Sequence, residues 1–459
     1  MKLRIRAILN YLYKRPELVF VLIALPFGLF SAIFVPQISV TDENSHLLRS
    51  YQVARGEFIC HKSTNYPQDV IDKSRSGSNG SRAYTMDFSD KVDTSDQKKF
   101  SCSSAAGYSP LAYIPQAVGI LAAEAASPTT AMMVLLARIA NLLFYIVAVY
   151  WIIKRVLVGK YIFFIIALIP QMIHLAASLS ADMINNVVTL AIAAFILSLF
   201  VQKQKISRKQ IILLICLVVA AALLKRNLIL LLLPLAFLPS RLFVENKNKK
   251  IPFNIRKWSL AAITIITFGL MYLLWAKLSF VAHSQTAGLA NPISAHPNLF
   301  LNLLFNTYLS DYGDLVLRGV FGEFSSFLYH FPTILVFAQI VLLLIAYIYE
   351  PSKSIYAAVR NKWLVISMTG MFIASILTIT YGMYTEWGLR RGISEYADGV
   401  QGRYFTALLA LLIPLFAWVS KYVSIKVKSE KFLFAVIIIG QVTMLGFYVL
   451  YTIKTLKGM

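Results

Sequence analysis

The chain has 459 residues, of which 58% are hydrophobic and 14% are charged, and its formal net charge is +23. A soluble domain carries about a quarter charged residues, so this composition excludes an ordinary soluble protein and indicates an integral membrane protein. The Lys and Arg residues stand in short clusters between apolar runs rather than on one folded face. The positive charge therefore does not indicate nucleic acid as a partner.

The first predicted element is an apolar stretch over residues 17–38, which follows a basic N-terminal segment. It is too long for the core of a signal peptide, so it is predicted to be an uncleaved anchor in the cell membrane with the N-terminus inside. Apolar runs of about 20 residues recur after it, and each can cross a hydrocarbon core as a helix. Eleven spans are predicted in all, the later ten at 131–153, 161–180, 183–201, 210–225, 227–243, 258–278, 331–349, 363–381, 403–420 and 431–453.

The apolar stretch at 110–126 is ambiguous, because counting it as a span would reverse the orientation of everything after it. Without it, the cytoplasmic segments carry a net charge of +21 and the outer segments +2, in agreement with the positive-inside rule. With it, Lys154, Arg155, Lys160 and the basic cluster at 203–209 would lie outside. We therefore expect 110–126 to form a juxtamembrane or re-entrant helix, and the C-terminus to lie outside.

The spans leave three outer segments, at 39–130, 279–330 and 382–402. The sequence thus predicts one integral membrane domain over 1–459, an all-α polytopic helix bundle with extracytoplasmic juxtamembrane helices. A polar stretch at about 69–101 is expected to be a mobile surface loop.

Two of the three cysteines, Cys60 and Cys102, fall in the first outer segment, whereas Cys216 lies in an apolar helix. An extracytoplasmic location permits a disulfide between Cys60 and Cys102. The alternative is two free thiols in a loop.

A polar run directly follows the first span and contains two adjacent acids, Asp42 and Glu43. The run is helix-like, and the spacing of Glu43, His46 and Ser50 places them on one helical face. Asp42 would be the N-cap. The two interpretations are a capping aspartate on a solvated helix, or a carboxylate at the membrane surface that serves as a general base or metal ligand.

The acid after the first helix occurs together with a motif at 108–117, Tyr-Ser-Pro-Leu-Ala-Tyr-Ile-Pro-Gln-Ala, and with Arg138 at the opening of the next helix. This combination resembles the GT-C superfamily of membrane glycosyltransferases, which use polyprenyl-phosphate sugar donors. More narrowly, the sequence resembles a bacterial membrane family catalogued as domain of unknown function 2142, over about residues 17–420. The residues that carry this narrower resemblance are Thr41-Asp42-Glu43-Asn44-Ser45-His46, Gly56, Ser180-Ala181-Asp182 and Gly399-Val400-Gln401-Gly402-Arg403-Tyr404-Phe405.

The resemblance implies a GT-C-like bundle in which Asp42 is the catalytic base that removes a proton from the acceptor hydroxyl. Glu43 would assist or bind a divalent metal as a cofactor. This sequence departs from the superfamily in having two adjacent acids where there is often one, so the two compete for the role. The implied partners are a polyprenyl-phosphate-linked sugar, a glycan or lipid acceptor, and membrane lipids.

A lipid-linked donor needs cations near the outer headgroups, and the planar guanidinium of Arg suits phosphate oxygens. Arg403 is the first candidate, since Gly402 beside it permits close approach of the backbone. Lys225 and Arg226, at the outer end of another predicted span, are the second candidates. For all three cations, the alternative is an interfacial side chain that extends to the headgroups, and it is favoured for Lys225 and Arg226.

Further candidates for substrate binding are polar or aromatic residues predicted near the outer face: His46, Asp182, Trp387, Gln401 and Tyr404. Asp182 lies between two spans, where a carboxylate is costly unless it faces water or a partner. Its alternative role is to form a turn or cap a helix. The 382–402 segment mixes aromatic and charged residues, which suits sugar rings and an interfacial loop equally. The ionisable residues of 279–330, and His174 in a span, are interpreted as structural.

The predicted function is transfer of a sugar from a polyprenyl carrier to a cell-envelope glycan or lipid at the outer face. One alternative is a transporter or flippase of a lipid-linked saccharide. Polar residues deep in several spans, together with broken helices, would favour this alternative. The other is a non-catalytic scaffold. The donor-site hypothesis requires Asp42 and Arg403 to converge on one outward cavity, whereas a scaffold would have no closed cavity above Asp42.

Overall fold

The computed structural model describes residues 11–60, 62–76, 88–89, 91–243, 255–279, 293, 298–324, 329–349, 353–392, 395–423 and 429–457. Within these ranges the chain is mostly helical. The α-helices are α1 (Pro16–Phe34), α2 (Glu43–Ala54), α3 (Gln68–Ser76), α4 (Ile114–Ala126), α5 (Thr130–Arg155), α6 (Lys160–Leu168), α7 (Pro170–Ala176), α8 (Asp182–Val201), α9 (Arg208–Leu224), α10 (Ile255–Leu278), α11 (Leu299–Tyr308), α12 (Asp311–Phe321), α13 (Thr333–Ile348), α14 (Lys353–Ala358), α15 (Lys362–Met383), α16 (Leu389–Arg391), α17 (Ile413–Val419) and α18 (Glu430–Lys457).

Shorter elements connect these helices. The 3₁₀ segments are Ser104–Gly107, Pro110–Tyr113, Arg226–Phe237, Ser240–Leu242, Gly402–Tyr404 and Ala407–Leu412, and one π-helical turn spans Tyr384–Gly388. The strands are β1 (Ser63–Pro67), β2 (Gln97–Ser101), β3 (Glu323–Phe324) and β4 (Tyr329–His330). They form two antiparallel two-stranded sheets, β1–β2 and β3–β4. The expected all-α fold omitted both sheets.

The chain is a multi-pass membrane protein by the length and apolar character of its helices. Six helices in the described ranges are long and apolar enough to cross a membrane: Pro16–Phe34, Thr130–Arg155, Asp182–Val201, Trp258–Leu278, Lys362–Gly388 and Glu430–Leu456. Each coincides with a predicted span. Large apolar side chains of these helices, such as Leu273, Ile366 and Ile439, are exposed on the surface of the bundle. This is typical of helices that contact lipid tails.

The prediction of eleven spans is not confirmed, because the other five are short or interrupted. The predicted span at 161–180 is divided into α6 and α7 at Pro170, which cannot donate the backbone hydrogen bond that would continue the helix. The 227–243 stretch is largely a 3₁₀ segment, and 403–420 consists of two 3₁₀ segments and α17. The remaining two, α9 and α13, have 17 and 16 residues. Hydropathy finds these stretches apolar but does not show where the helical hydrogen bonding stops.

The stretch at 110–126 contains α4, a helix of 13 residues. At a rise of about 1.5 Å per residue it is too short to cross a core of about 30 Å. A Cβ atom on Gly119 would lie 2.4 Å from the Leu136 carbonyl oxygen, so α4 packs very closely against α5. The stretch therefore forms a helix that is too short to be a span, as expected, whereas its juxtamembrane or re-entrant location stays a prediction.

The segment at 39–130, which was predicted to lie outside, is folded around α2. Cys60 and Cys102 are joined by a disulfide. The buried Arg49 donates hydrogen bonds to the Phe58 carbonyl (2.8 Å) and the Tyr108 carbonyl (3.2 Å), which ties α2 to both flanking segments. The stretch at 69–101, which was expected to be a surface loop, contains all of β2 and all of α3 except its first residue. Residues 77–87 and 90 lie outside the described ranges. The polar composition of the stretch gave no sign of these elements.

Candidate functional site

Asp42 is the residue immediately before α2, yet its side chain does not cap that helix. Its backbone is left-handed, with φ of 62° and ψ of 8°, a conformation that L-residues other than glycine adopt at some energetic cost. The side chain is 56% exposed. The expected N-cap hydrogen bond is therefore absent, and the backbone holds the carboxylate away from the first turn of α2.

Arg403 approaches Asp42 from the opposite end of the chain. Its Nη2 lies 2.7 Å from Asp42 Oδ2, although the two residues are 361 positions apart in sequence. Its Nε lies 3.1 Å from Asp182 Oδ2, an ionic contact without hydrogen-bond alignment. The Arg403 side chain is only 5% exposed, so the guanidinium is buried between two carboxylates. The structure thus brings Asp42 and Arg403 into direct contact, whereas their convergence on an outward cavity stays a prediction.

Gly402 positions Arg403 by permitting an unusually close backbone contact. A Cβ atom on Gly402 would lie 2.0 Å from the Val316 carbonyl oxygen and 2.3 Å from the Val320 amide nitrogen. Any side chain there would force the backbone at 402 away from α12. The expectation that Gly402 allows a close approach agrees with this geometry.

Lys225 completes a group of alternating charges. Its Nζ lies 2.7 Å from Asp182 Oδ1 and 4.6 Å from the centroid of the Tyr404 ring. We call Asp42, Asp182, Lys225 and Arg403 the charge cluster. Its four members come from four separate segments, and each was expected at an outer end. Two acids and two bases leave it formally neutral.

His46 lies one turn into α2 behind the charge cluster. It is buried, and its Nδ1 lies 2.8 Å from the Tyr113 hydroxyl. Burial lowers the pKa of His46, although the nearby carboxylates of Asp42 and Asp182 oppose this effect. The neutral imidazole is therefore favoured, and Tyr113 fixes its orientation.

The other residues predicted to bind the substrate or the donor phosphate differ in how close they lie to the charge cluster. The hydroxyl of Tyr404 is 3.5 Å from Arg403 Nη2, and Gln401 is half-buried at the start of the same 3₁₀ segment. Trp387 is 42% exposed and its ring packs against Arg391 and Gly399. The side chain of Arg226 lies outside the described residues.

Glu43 occupies a different environment from Asp42. Both Glu43 and Arg138 have fully buried side chains, and Arg138 donates from Nε to Glu43 Oε1 (2.8 Å) and from Nη2 to Glu43 Oε2 (2.6 Å). Arg138 also donates to the carbonyls of Val35 (2.7 Å) and Pro36 (2.9 Å), just after α1. The Leu179 amide donates to Glu43 Oε1 as well. This buried pair therefore joins the end of α1 to α2, α5 and the turn before α8.

The role of Arg138 was missed at the sequence level, where it was only a landmark in the motif. Its signal was available, because an arginine within an apolar helix is energetically costly unless it has a buried partner. What the sequence does not show is which acid supplies that partner.

The acids of the site do not fit a divalent metal. Among the described residues, no group of three or more His, Cys, Asp or Glu side chains is arranged to hold one. Asp42 and Asp182 both contact cationic side chains, and both oxygens of Glu43 accept from Arg138. A metal ion would have to displace these cations, so we derive no step through a metal.

Glu323 is a further acid at this site that sequence reasoning assigned to structure. A Cβ atom on Gly319 would lie 2.6 Å from Glu323 Oε2 and 2.9 Å from the Gly402 nitrogen, so the carboxyl group lies beside the segment that carries Arg403. Its Oε1 is buried with no hydrogen-bond partner in the described ranges. Burial raises the pKa of Glu323 to about 7, against the opposing charge of Arg403. An acid in a long loop carries no pattern that would have revealed this.

We expect the thermal stability of the wild type to fall more steeply with rising pH than that of Glu323→Gln. The pKa of Glu323 is about 7 in the folded protein against an ordinary value of 4.5, so folding favours the protonated form. That stabilisation is complete at low pH and is lost as the pH rises from about 4.5 through about 7. Above this window the variant should be more stable than the wild type, by at most about 3 kcal/mol.

Thermal unfolding in detergent across this pH range measures the effect. Glu395→Gln, which changes an exposed acid of the 382–402 segment, is the matched control and should follow the wild type. Parallel pH curves for wild type and Glu323→Gln would contradict the raised pKa.

Residues 25–412 match the family described as "Predicted membrane protein (DUF2142)", and the chain belongs to this family. No curated protein and no solved structure matches the chain.

Proposed function

We propose that this member of the DUF2142 family is a GT-C-type membrane glycosyltransferase. It would transfer a sugar from a polyprenyl-phosphate donor to a cell-envelope glycan or lipid at the extracytoplasmic face. The observation that carries the proposal is the contact of 2.7 Å between Asp42, whose carboxylate is exposed, and Arg403, whose guanidinium is buried. A candidate base and a candidate phosphate-binding cation thus share one site.

In the proposed reaction, an acceptor hydroxyl attacks the anomeric carbon of the donor sugar. Asp42 accepts the hydroxyl proton, a new glycosidic C–O bond forms, and the bond between the anomeric carbon and the phosphate oxygen breaks. Its electron pair leaves with polyprenyl phosphate. Arg403 and Lys225 stabilise that phosphate, and Asp182 holds both cations in place. Because the Glu43 side chain is fully buried and both its oxygens accept from Arg138, Asp42 is the better candidate for the base.

Contacts join Asp42, Asp182, Lys225 and Arg403, which supports placing all four on one side of the membrane, and the positive-inside rule favours the outer side. We expect Lys205→Cys, in a Cys216→Ser background, to remain unlabelled by a membrane-impermeant maleimide in intact cells. Ser95→Cys, in the first outer segment, is the accessible control. Labelling at 205 without permeabilisation would overturn the proposed orientation.

Binding of polyprenyl phosphate tests the donor site without knowledge of the sugar. We expect Arg403→Ala to weaken binding of undecaprenyl phosphate by about tenfold or more, because a hydrogen bond to a charged group contributes about 1.5–3 kcal/mol. Arg403→Lys, which keeps the charge but loses the planar fork, should bind with intermediate affinity. Native mass spectrometry of the purified protein measures these affinities.

The control is Arg391→Ala, which removes an arginine that is paired with Asp398 in the outer 382–402 segment. It should bind as the wild type does. Equal binding by wild type and folded Arg403→Ala would remove the donor-site assignment, and absence of binding to the wild type would favour the scaffold alternative.

A second candidate function is transport of a lipid-linked saccharide. It is favoured by the break between α6 and α7, and by Gln339 and Gln441 in α13 and α18. Both glutamines are fully buried, and their amide groups have no hydrogen-bond partner within the described part of the chain. Polar groups of this kind inside spans are typical of transport pathways. A transporter would move the donor across vesicles with its sugar intact, whereas the transferase would release polyprenyl phosphate.

A further inference from the structure

A polar cleft lies in the first outer segment, between the start of α2, the end of α3 and the end of β2. Its volume is about 240 Å³, below the roughly 300–1,000 Å³ of pockets that enclose drug-sized ligands. A single small polar unit therefore fits it. The side chains that give the cleft its character are Asn44, Ser45, Arg75, Phe100, Ser101 and Ser104.

The walls of this cleft are fixed to one another. Cys102, which lines it, is joined by the disulfide to Cys60. Ser103 Oγ donates to the Ser45 carbonyl (2.8 Å), and Ser104 Oγ donates to Ser45 Oγ (3.1 Å). The segment after β2 is thereby held against α2, so the cleft is preformed.

The chemistry of the lining suits a hydroxylated ligand. Serine hydroxyls and the Asn44 amide supply both donors and acceptors, as sugar hydroxyls require. The Arg75 guanidinium carbon lies 5.1 Å from the centroid of the Phe100 ring, so a cation that stacks on an aromatic ring also borders the cleft. None of the residues that line the cleft is acidic. The cleft therefore suits a neutral or anionic saccharide and does not suit a metal ion.

The cleft lies next to the candidate base along α2. Asn44 follows Asp42 by two residues, so their Cα atoms are within about 8 Å of each other. Ser45 follows by three residues and lies in the first turn of α2, which begins directly after Asp42. A saccharide bound in the cleft would thus have its neighbouring unit within reach of the Asp42 carboxylate.

We infer that this cleft is the acceptor subsite and that the acceptor is a glycan, one sugar unit of which binds between Asn44, Arg75 and Ser101. The inference rests on the proposed glycosyltransferase function, and it selects a glycan over a lipid as the acceptor. The cleft binds one unit while the adjoining unit presents its hydroxyl to Asp42. Donor binding at Arg403 and acceptor binding in the cleft are separate events.

The test is an array of soluble oligosaccharides, both neutral and acidic, probed with the purified protein in detergent. We expect the wild type to bind at least one saccharide, and Ser101→Trp, which fills the cleft, to weaken that binding by about tenfold or more. Arg75→Ala should also weaken it. Lys98→Trp introduces the same bulk at an exposed position of β2 outside the cleft lining and should bind normally.

Undecaprenyl phosphate binding, measured in the same variants, separates this inference from the proposed function. Ser101→Trp should retain it unchanged. If the wild type binds a saccharide but does not bind undecaprenyl phosphate, the proposed function is wrong and the cleft is a saccharide site without that function. The inference is overturned by absence of saccharide binding in the wild type, by equal saccharide binding in Ser101→Trp, or by binding of inorganic phosphate alone.

Discussion

Asp42→Asn is expected to reduce sugar transfer at least about 100-fold, because removal of a positioned general base typically lowers the rate by about 10²–10⁴-fold. The asparagine has nearly the same shape and tolerates a left-handed backbone, so the fold should be retained. It cannot accept the proton of the acceptor hydroxyl. The contact with Arg403 also loses its ionic character, yet Asp182 still holds that guanidinium.

Transfer is measured as release of polyprenyl phosphate from a panel of polyprenyl-phosphate sugars, with membrane extract as the acceptor source. Asp398→Asn changes another carboxylate that is paired with an arginine, but in the 382–402 segment, and should leave transfer unchanged. Undecaprenyl phosphate should still bind to Asp42→Asn. Unchanged transfer in that variant would rule out Asp42 as the base.

Arg138→Ala is expected to destabilise the protein by about 3–5 kcal/mol, the usual effect of removing one partner of a buried ion pair. The substitution leaves Glu43 buried without its cation, and it removes donors from the carbonyls of Val35 and Pro36. Arg155→Ala, at the exposed C-terminal end of the same helix, should change stability little. Thermal unfolding of the detergent-solubilised variants measures both effects.

Two further variants, one double and one single, separate the structural role of Glu43 from the catalytic role that the sequence also predicted. A double replacement, Glu43→Leu with Arg138→Leu, should recover much of the stability lost by Arg138→Ala, since an apolar pair leaves no uncompensated charge. If Glu43→Gln abolished transfer while leaving the unfolding temperature unchanged, the catalytic role would pass to Glu43.

Local features of the site were predictable from sequence, whereas its pairings were not. The position of α2 after the first span follows from its polar, helix-like pattern, and α4 follows from the charge distribution that argued against a span at 110–126. Asp42 and Arg403 were each identified separately, but their contact joins residues 361 positions apart. No periodicity in one sequence reports such a pairing.

The features that the sequence did not predict have specific physical origins. Pro170 ends hydrogen bonding inside an apolar run, so hydropathy predicts one span where the structure has α6 and α7. The two acids Asp42 and Glu43 are adjacent in sequence but differ in environment, because the left-handed backbone at 42 directs one carboxylate outward while α2 buries the next. The raised pKa of Glu323 depends on burial by distant segments, which composition does not reveal.

If Asp42 is the proposed base, its left-handed backbone should set heat resistance against activity. Glycine adopts this conformation without steric strain, so Asp42→Gly would relieve it while deleting the only carboxylate that the site exposes next to Arg403 among the described residues. Loss of the contact with Arg403 should cost little, because Asp42 is 56% exposed and Asp182 still contacts the guanidinium, so a screen for thermostable variants alone should favour glycine at this position. The variants so obtained would be well folded and inactive, and their recovery would locate the active site without any knowledge of the substrate.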